Sequence, residues 1–230
     1  MKAATTFLRR VAIWPSLLTA IAAFCLYLFC LAPSVATGGD CGELISAAYR
    51  LGVAHPSGYA LYCLLVKAFV TIFPFGEIAF RANLFSAFCG ASAVGVVAFL
   101  LPRFFLTRDC TDNFSRATTP TGSTPNGSTP QTNTFAAISA ALLLAGFIFF
   151  GSQSLIAEVY APTGLAVALL IWCVAAWNET RNFSALCALA CGLGLALNLH
   201  LSTIFLWPAL LVFFAWHFKK SGATSHARST

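Results

Sequence analysis

Five short stretches of this chain hold most of the side chains that could do chemistry. Asp40 and Glu43 stand three residues apart in Gly39-Asp40-Cys41-Gly42-Glu43. That spacing lets Asp40 cap a helix and puts Glu43 in its first turn, where Asp40 could act as a general base or the pair could hold a cation. His55 precedes Pro56, which disfavours helix at His55 and suits the first position of a new one, so His55 sits at an ordered corner. Glu158 and Tyr160 follow an almost uncharged run, and a carboxylate between apolar segments is a functional candidate by default. His200 begins another apolar segment, and Arg81 opens one, with a fork of donors suited to phosphate oxygens. Each has a plainer explanation: an N-cap for Asp40, a corner imidazole for His55, snorkelling for Arg81, and exposed turn positions for Glu158 and His200.

These residues need a scaffold, and the composition says which kind. Hydrophobic residues make up 59% of the 230, against 13 basic and 7 acidic side chains. A soluble domain carries roughly 25% charged residues, and 9% cannot coat a globule of this size. The expectation is an all-α polytopic membrane protein. Apolar runs of the length that crosses a bilayer, about 17–25 residues, lie at 11–31, 79–101, 135–151, 160–177, 183–199 and 201–216. A shorter run at 59–73 carries Lys67 near its middle and reads as an interfacial helix with Lys67 reaching for the headgroups.

Charge bias arbitrates. With six spans, both termini are cytoplasmic and ten of the 13 basic residues lie inside: Lys2, Arg9, Arg10, Arg103, Arg108, Arg116, Arg181, Lys219, Lys220 and Arg228. Arg50, Lys67 and Arg81 remain outside. If 59–73 crossed as well, most of the downstream basic residues would move outside. The six-span reading is therefore preferred, with helices 40–51 and 56–73 lying along the outer surface. The first apolar run exceeds a signal-peptide core of about 7–15 residues and reads as a retained span.

The remaining segments carry less. Residues 103–134 include a Thr/Pro/Ser/Gly tract and read as a disordered cytoplasmic linker, and 217–230 as a cytoplasmic tail. Four Asn-x-Ser/Thr sequons, at Asn113, Asn126, Asn178 and Asn182, fall on the inner side and read as chance matches. Nine Cys residues show no metal-ligand spacing and suit helix packing, so no metal is assigned. No basic patch interleaved with aromatics suggests nucleic acid.

The topology chosen on basic residues also gathers Asp40, Glu43, His55, Glu77, Arg81, Glu158, Tyr160 and His200 on one face. The alternative would set Glu158 and His200 opposite Asp40. The expected site is thus on the outer, lumenal or periplasmic, face of an endoplasmic-reticulum or bacterial inner membrane.

Gly39-Asp40-Cys41-Gly42-Glu43-Leu44, Leu51-Gly52-Val53-Ala54-His55-Pro56-Ser57-Gly58-Tyr59, Phe80-Arg81-Ala82-Asn83-Leu84-Phe85-Ser86-Ala87, Gln153-Ser154-Leu155-Ile156-Ala157-Glu158-Val159-Tyr160 and Asn198-Leu199-His200-Leu201-Ser202 occur in order. Together they resemble the GT-C membrane glycosyltransferases, and within them the transmembrane protein 260-like O-mannosyltransferases with their bacterial relatives. Cys41 and Ser57 stand where that family usually has Ser and Pro. Its members are longer, so the chain reads as a truncated or split member, or one that needs a partner subunit.

The resemblance implies inverting sugar transfer from a polyprenyl-phosphate-linked donor to a hydroxyl of a protein or glycan acceptor. It implies Asp40 as general base, with Glu158, the second catalytic candidate, and His55 positioning the acceptor or donor. Glu43, Arg81, Tyr160 and His200 would bind substrate, Arg81 at the phosphate; a divalent metal is left open. Two other classes remain beside it. One is a non-catalytic membrane subunit that binds lipid phosphate. The other is a transporter, which would need charged residues near mid-membrane in facing spans.

Overall fold

The computed structural model describes the backbone of residues 2–37, 39–117 and 130–226, and the side chains of 13–37, 39–104 and 134–219. Nine α-helices and one 3-10 turn make up these residues, with no strand among them: α1 (Lys2–Cys30), α2 (Cys41–Arg50), α3 (Ala60–Ile72), α4 (Ile78–Ala117), α5 (Pro130–Gly146), α6 (Ile148–Gln153), α7 (Tyr160–Thr180), α8 (Phe183–Leu199), the 3-10 turn Leu201–Leu206, and α9 (Trp207–His226).

Four stretches are long and apolar enough to cross a bilayer: Ile13–Cys30, Ile78–Phe104, Tyr160–Thr180 and Leu201–Lys219. Ala60–Ile72, Thr134–Gly146 and Phe183–Leu199 are shorter apolar helices. The outside of the bundle is apolar, with Trp14 70%, Phe29 90%, Phe183 75% and Phe205 81% exposed. Such faces call for lipid rather than water. The chain is an all-α membrane protein.

The expected spans shift in three places. The run at 135–151 does not form one helix: α5 stops at Gly146, Phe147 is extended, and α6 restarts at Ile148. Glycine is a poor helix former, and the N–H of Phe147 turns back to Leu144. The run at 201–216 opens as 3-10 rather than α-helix. The linker expected at 103–134 is helical at both ends, because α4 continues to Ala117 and α5 begins at Pro130. Extending a formed helix gains one hydrogen bond for each residue fixed, without the cost of a new nucleus. Residues 118–129 lie outside the described residues, and of the tail, 217–226 belong to α9.

Two short helices sit between α1 and α4, as expected. α2 buries Cys41, Leu44, Ile45, Ala47 and Ala48, a stripe at helical spacing. It ends where Leu51 turns left-handed and Gly52 N–H bonds Ala47 O at 2.8 Å. α3 is 13 residues, about 20 Å long, too short to span a core about 30 Å thick. It buries Tyr62, Cys63, Val66 and Val70. Lys67 does not point away from the protein. Its Nζ donates to Tyr49 O at 2.6 Å and lies 4.4 Å from the Tyr49 ring centroid, locking α3 to α2.

α4 is the central post. One core joins it to α2, α3, Ala157, Val159 and Leu199, the last three being chain neighbours of Glu158 and His200. A second joins it to α1 and α5, and a third lies around Leu170, Leu189 and Ala196 of α7 and α8. α1 and α4 approach closely at Gly95, where an added Cβ would lie 2.8 Å from that of Ala20.

Candidate active site

Asp40 occupies the N-cap position of α2, with Leu44 N–H on its carbonyl at 2.9 Å, but its side chain makes no capping hydrogen bond. The carboxylate stays 60% exposed, and its Oδ2 lies 3.7 Å from His55 Nε2. Glu43, one turn on, is committed to His55: Oε1 accepts the His55 backbone N–H at 2.6 Å and Oε2 faces Nδ1 at 3.1 Å. Those contacts select the tautomer with its proton on Nδ1. Nε2 then accepts from the Tyr59 hydroxyl at 3.3 Å.

Glu158 comes from the turn before α7 and is buried, 5% exposed. Its Oε1 accepts the Asp40 backbone N–H at 3.0 Å. Burial raises its pKa above the usual 4.5, and the Asp40 charge adds to this, while the N–H groups of Asp40 and Val159 and the nearby His55 oppose it. Gly39 makes the contact possible. It has φ +74, and an added Cβ would lie 2.6 Å from Glu158 Oε1. Only glycine meets both demands without strain.

The remaining pieces are aromatic. Tyr59 lies 5.1 Å from the His55 ring and 5.7 Å from the His200 ring, centroid to centroid. His200 in turn lies 5.5 Å from Tyr160. His200 Nδ1 accepts the Ser202 N–H at 3.1 Å, and burial lowers its pKa from 6.5. The Tyr59 phenol is pushed up by burial, then by Tyr160 and the carboxylates of Asp40, Glu158 and Glu43, so it remains an O–H donor. Asp40, Glu43, His55, Glu158, Tyr160 and His200 thus form one contiguous cluster from three separate segments.

Arg81 and Glu77 stand apart. Arg81 closes the C-terminal end of α3, donating through Nη1 to Val70 O at 2.7 Å and Phe73 O at 3.4 Å. It lines a separate cavity of about 560 Å³ with Tyr49, Arg50 and Glu77, in which none of the clustered residues takes part. Arg81 therefore holds backbone carbonyls, the groups a helix end leaves unpaired.

Four further residues position the site and were not singled out as site residues from the sequence. Asn83, fully buried, donates to Ala32 O at 2.8 Å and Ser34 O at 2.9 Å, and its Oδ1 accepts Ala157 N–H at 2.8 Å. Ser86, one turn along α4, receives the Glu158 N–H at 3.4 Å. Together they tie the stretch before Asp40 to the turn carrying Glu158. The available signal was two polar residues at i and i+3 in an apolar span. Gly39 and Tyr59 complete the set.

This arrangement can remove a proton from a hydroxyl presented to Asp40, with the imidazole and a second carboxylate at hand. One ligand atom each from Asp40, Glu43 and His55 also lies within 4.8 Å of the others, so the same group could hold a cation.

The family model described as "Protein O-mannosyl-transferase TMEM260 N-terminal domain" matches residues 40–224. Protein O-mannosyl-transferase TMEM260 of Mus musculus is 48% identical over 71 residues, 31% of this chain and 10% of that protein. Protein O-mannosyl-transferase tmem260 of Dictyostelium discoideum is 43% identical over 63 residues, 26% of this chain and 8% of that protein. The chain thus aligns with only a small part of these relatives, and no solved structure matches it. Because the match begins at Asp40 and runs through most of the remaining helices, the chain belongs to the family of the TMEM260 N-terminal domain.

Proposed function

We propose that this chain carries the catalytic face of a membrane glycosyltransferase of GT-C type, moving a sugar from a polyprenyl-phosphate-linked donor to an acceptor hydroxyl on the outer side of the membrane. The observation that carries the reading is the Asp40 carboxylate. It sits at a helix N-cap, yet is left out of capping, stays open to solvent, and is held by its own N–H against buried Glu158. The relatives' printed name, protein O-mannosyl-transferase, makes a mannosyl group and a protein hydroxyl the first pair to test.

In this mechanism Asp40 takes the proton of the acceptor hydroxyl as that oxygen attacks the anomeric carbon. The bond from the anomeric carbon to the phosphate oxygen breaks, its electron pair leaves with the polyprenyl phosphate, and the configuration inverts. A phosphate is already a good leaving group, so most of the acceleration comes from positioning and charge stabilisation. Glu158 holds the Asp40 backbone, and the row Tyr59, His200 and Tyr160 offers a partly exposed surface beside it for the acceptor or the sugar.

The test is transfer of mannose from polyprenyl-phosphate mannose to a serine/threonine peptide by membranes bearing the chain. Asp40→Asn should abolish it, and undiminished transfer by that variant sinks the reading. A second reading, a non-catalytic subunit that binds lipid phosphate, draws on the cavity that brings Arg50 and Arg81 together. It calls for function to survive Asp40→Asn with Glu158→Gln and to fail with Arg50→Gln.

A further inference from the structure

Tyr59 has φ 46, in the left-handed region, immediately before α3. That conformation is unfavourable for a residue with a Cβ, and more so for a bulky one. The turn itself does not ask for an aromatic ring: the backbone carbonyl of Tyr59 accepts Cys63 N–H at 3.0 Å, which glycine would do equally well. A strained non-glycine residue beside a polar cluster points to its side chain as the reason for its retention.

That side chain joins two segments of the cluster. Its hydroxyl reaches His55 Nε2 at 3.3 Å, on the side of the ring that faces Asp40 Oδ2 at 3.7 Å. Its ring lies 5.7 Å from that of His200, more than 140 residues away in sequence. Glu43 already occupies the backbone N–H and Nδ1 of His55. The imidazole is therefore held on one edge by Glu43 and on the other by Tyr59, with Asp40 beside the second edge.

We propose that Tyr59 is a positioning residue for the transfer reaction: it is kept in a strained backbone conformation so that its hydroxyl fixes His55 against Asp40 and its ring anchors that pair to the His200 turn. The role rests on the transfer reading above. The geometry of the Asp40–His55 pair is set from the residue that enters α3, and the cost appears as local instability.

The experiment compares wild-type chain, Tyr59→Gly, Tyr59→Phe and Asp40→Asn in membranes, with polyprenyl-phosphate mannose and a serine/threonine peptide. Melting temperatures are measured on the same proteins in detergent. Tyr59→Gly frees the backbone, so its melting temperature should equal or exceed wild type while kcat falls by roughly tenfold to 100-fold, the scale of a misplaced catalytic group. Tyr59→Phe keeps the ring and loses one hydrogen bond, so kcat should fall by roughly threefold to tenfold with donor KM unchanged. Two results overturn the proposal alone, given active wild type and inactive Asp40→Asn: wild-type kcat in Tyr59→Gly, or a fall in its melting temperature matching its loss of activity. A wild-type chain that transfers nothing overturns the transfer reading, and the positioning role with it.

Discussion

Glu158 accepts the backbone N–H of Asp40 at 3.0 Å across 118 residues of sequence, and among the described residues it is the buried carboxylate. The contact fixes where the exposed carboxylate of Asp40 can stand. It also needs a glycine next door, since a Cβ on Gly39 would fall 2.6 Å from the same oxygen.

Gly39→Ala should therefore cost about 1–3 kcal/mol from the left-handed backbone and the clash together. Part of that loss should vanish when Glu158 is also cut back to Ala, because the clashing oxygen is gone. Thermal unfolding of the four members of that double-mutant cycle in detergent measures the coupling. Strict additivity would show that the two residues do not meet.

Glu158 also predicts a pH dependence of stability. Its folded pKa is raised above 4.5, so the folded chain keeps this proton to higher pH than the unfolded chain. The stabilisation is complete below 4.5 and is lost as pH rises through the folded value. Glu158→Gln keeps an oxygen for the Asp40 N–H and carries no charge, so it should be more stable than wild type at neutral pH and flatter between mildly acidic and neutral pH. Glu158→Ala leaves that N–H unpaired and should be less stable at every pH. A Gln variant that melts below wild type at pH 7.5 would refute this account.

Asn83 bridges Ala32 and Ser34 on one side to Ala157 on the other. Asn83→Ala would leave two carbonyls and one N–H without that partner in a buried place, a loss of about 2–4 kcal/mol. Asn83→Asp cannot donate to the two carbonyls and should do no better. Melting temperatures of both variants test this, and an Asp variant as stable as wild type would contradict it.

Much of this was legible in advance, for definite reasons. The basic residues of the flanks are read by charge bias alone, and that bias led to helices around Glu43 and Lys67 that do not cross. The same topology put Asp40, His55, Glu158 and His200 on one face, and the structure joins them in one cluster. Arg81 was read as a cation for a lipid phosphate, but the groups it meets are carbonyls at the end of α3, and sequence spacing does not say where that helix ends relative to α4. Tyr59 escaped notice because nothing in Ser57-Gly58-Tyr59-Ala60 marks the tyrosine, as well as its glycine neighbour, as a residue of positive φ. The break at Gly146 was hidden in an unbroken apolar run.

Removal of metal tests how Glu43 is used. A cation bridging Asp40, Glu43 and His55 is possible by proximity, since one ligand atom from each lies within 4.8 Å of the others. Yet both Glu43 oxygens already serve His55, one on its backbone N–H at 2.6 Å and the other facing Nδ1 at 3.1 Å. Nε2 meets the Tyr59 hydroxyl at 3.3 Å. A cation would have to displace at least one of these contacts. A carboxylate that accepts from one ring nitrogen fixes the tautomer and orientation of an imidazole, and Glu43 fits that role without a metal. Transfer should therefore survive washing of the membranes with EDTA, while Glu43→Gln, which can still accept one of the two bonds, should lower kcat by roughly tenfold. Activity lost to EDTA and restored by Mn²⁺ in wild type, but not in Glu43→Gln, would instead make Glu43 a ligand of the ion.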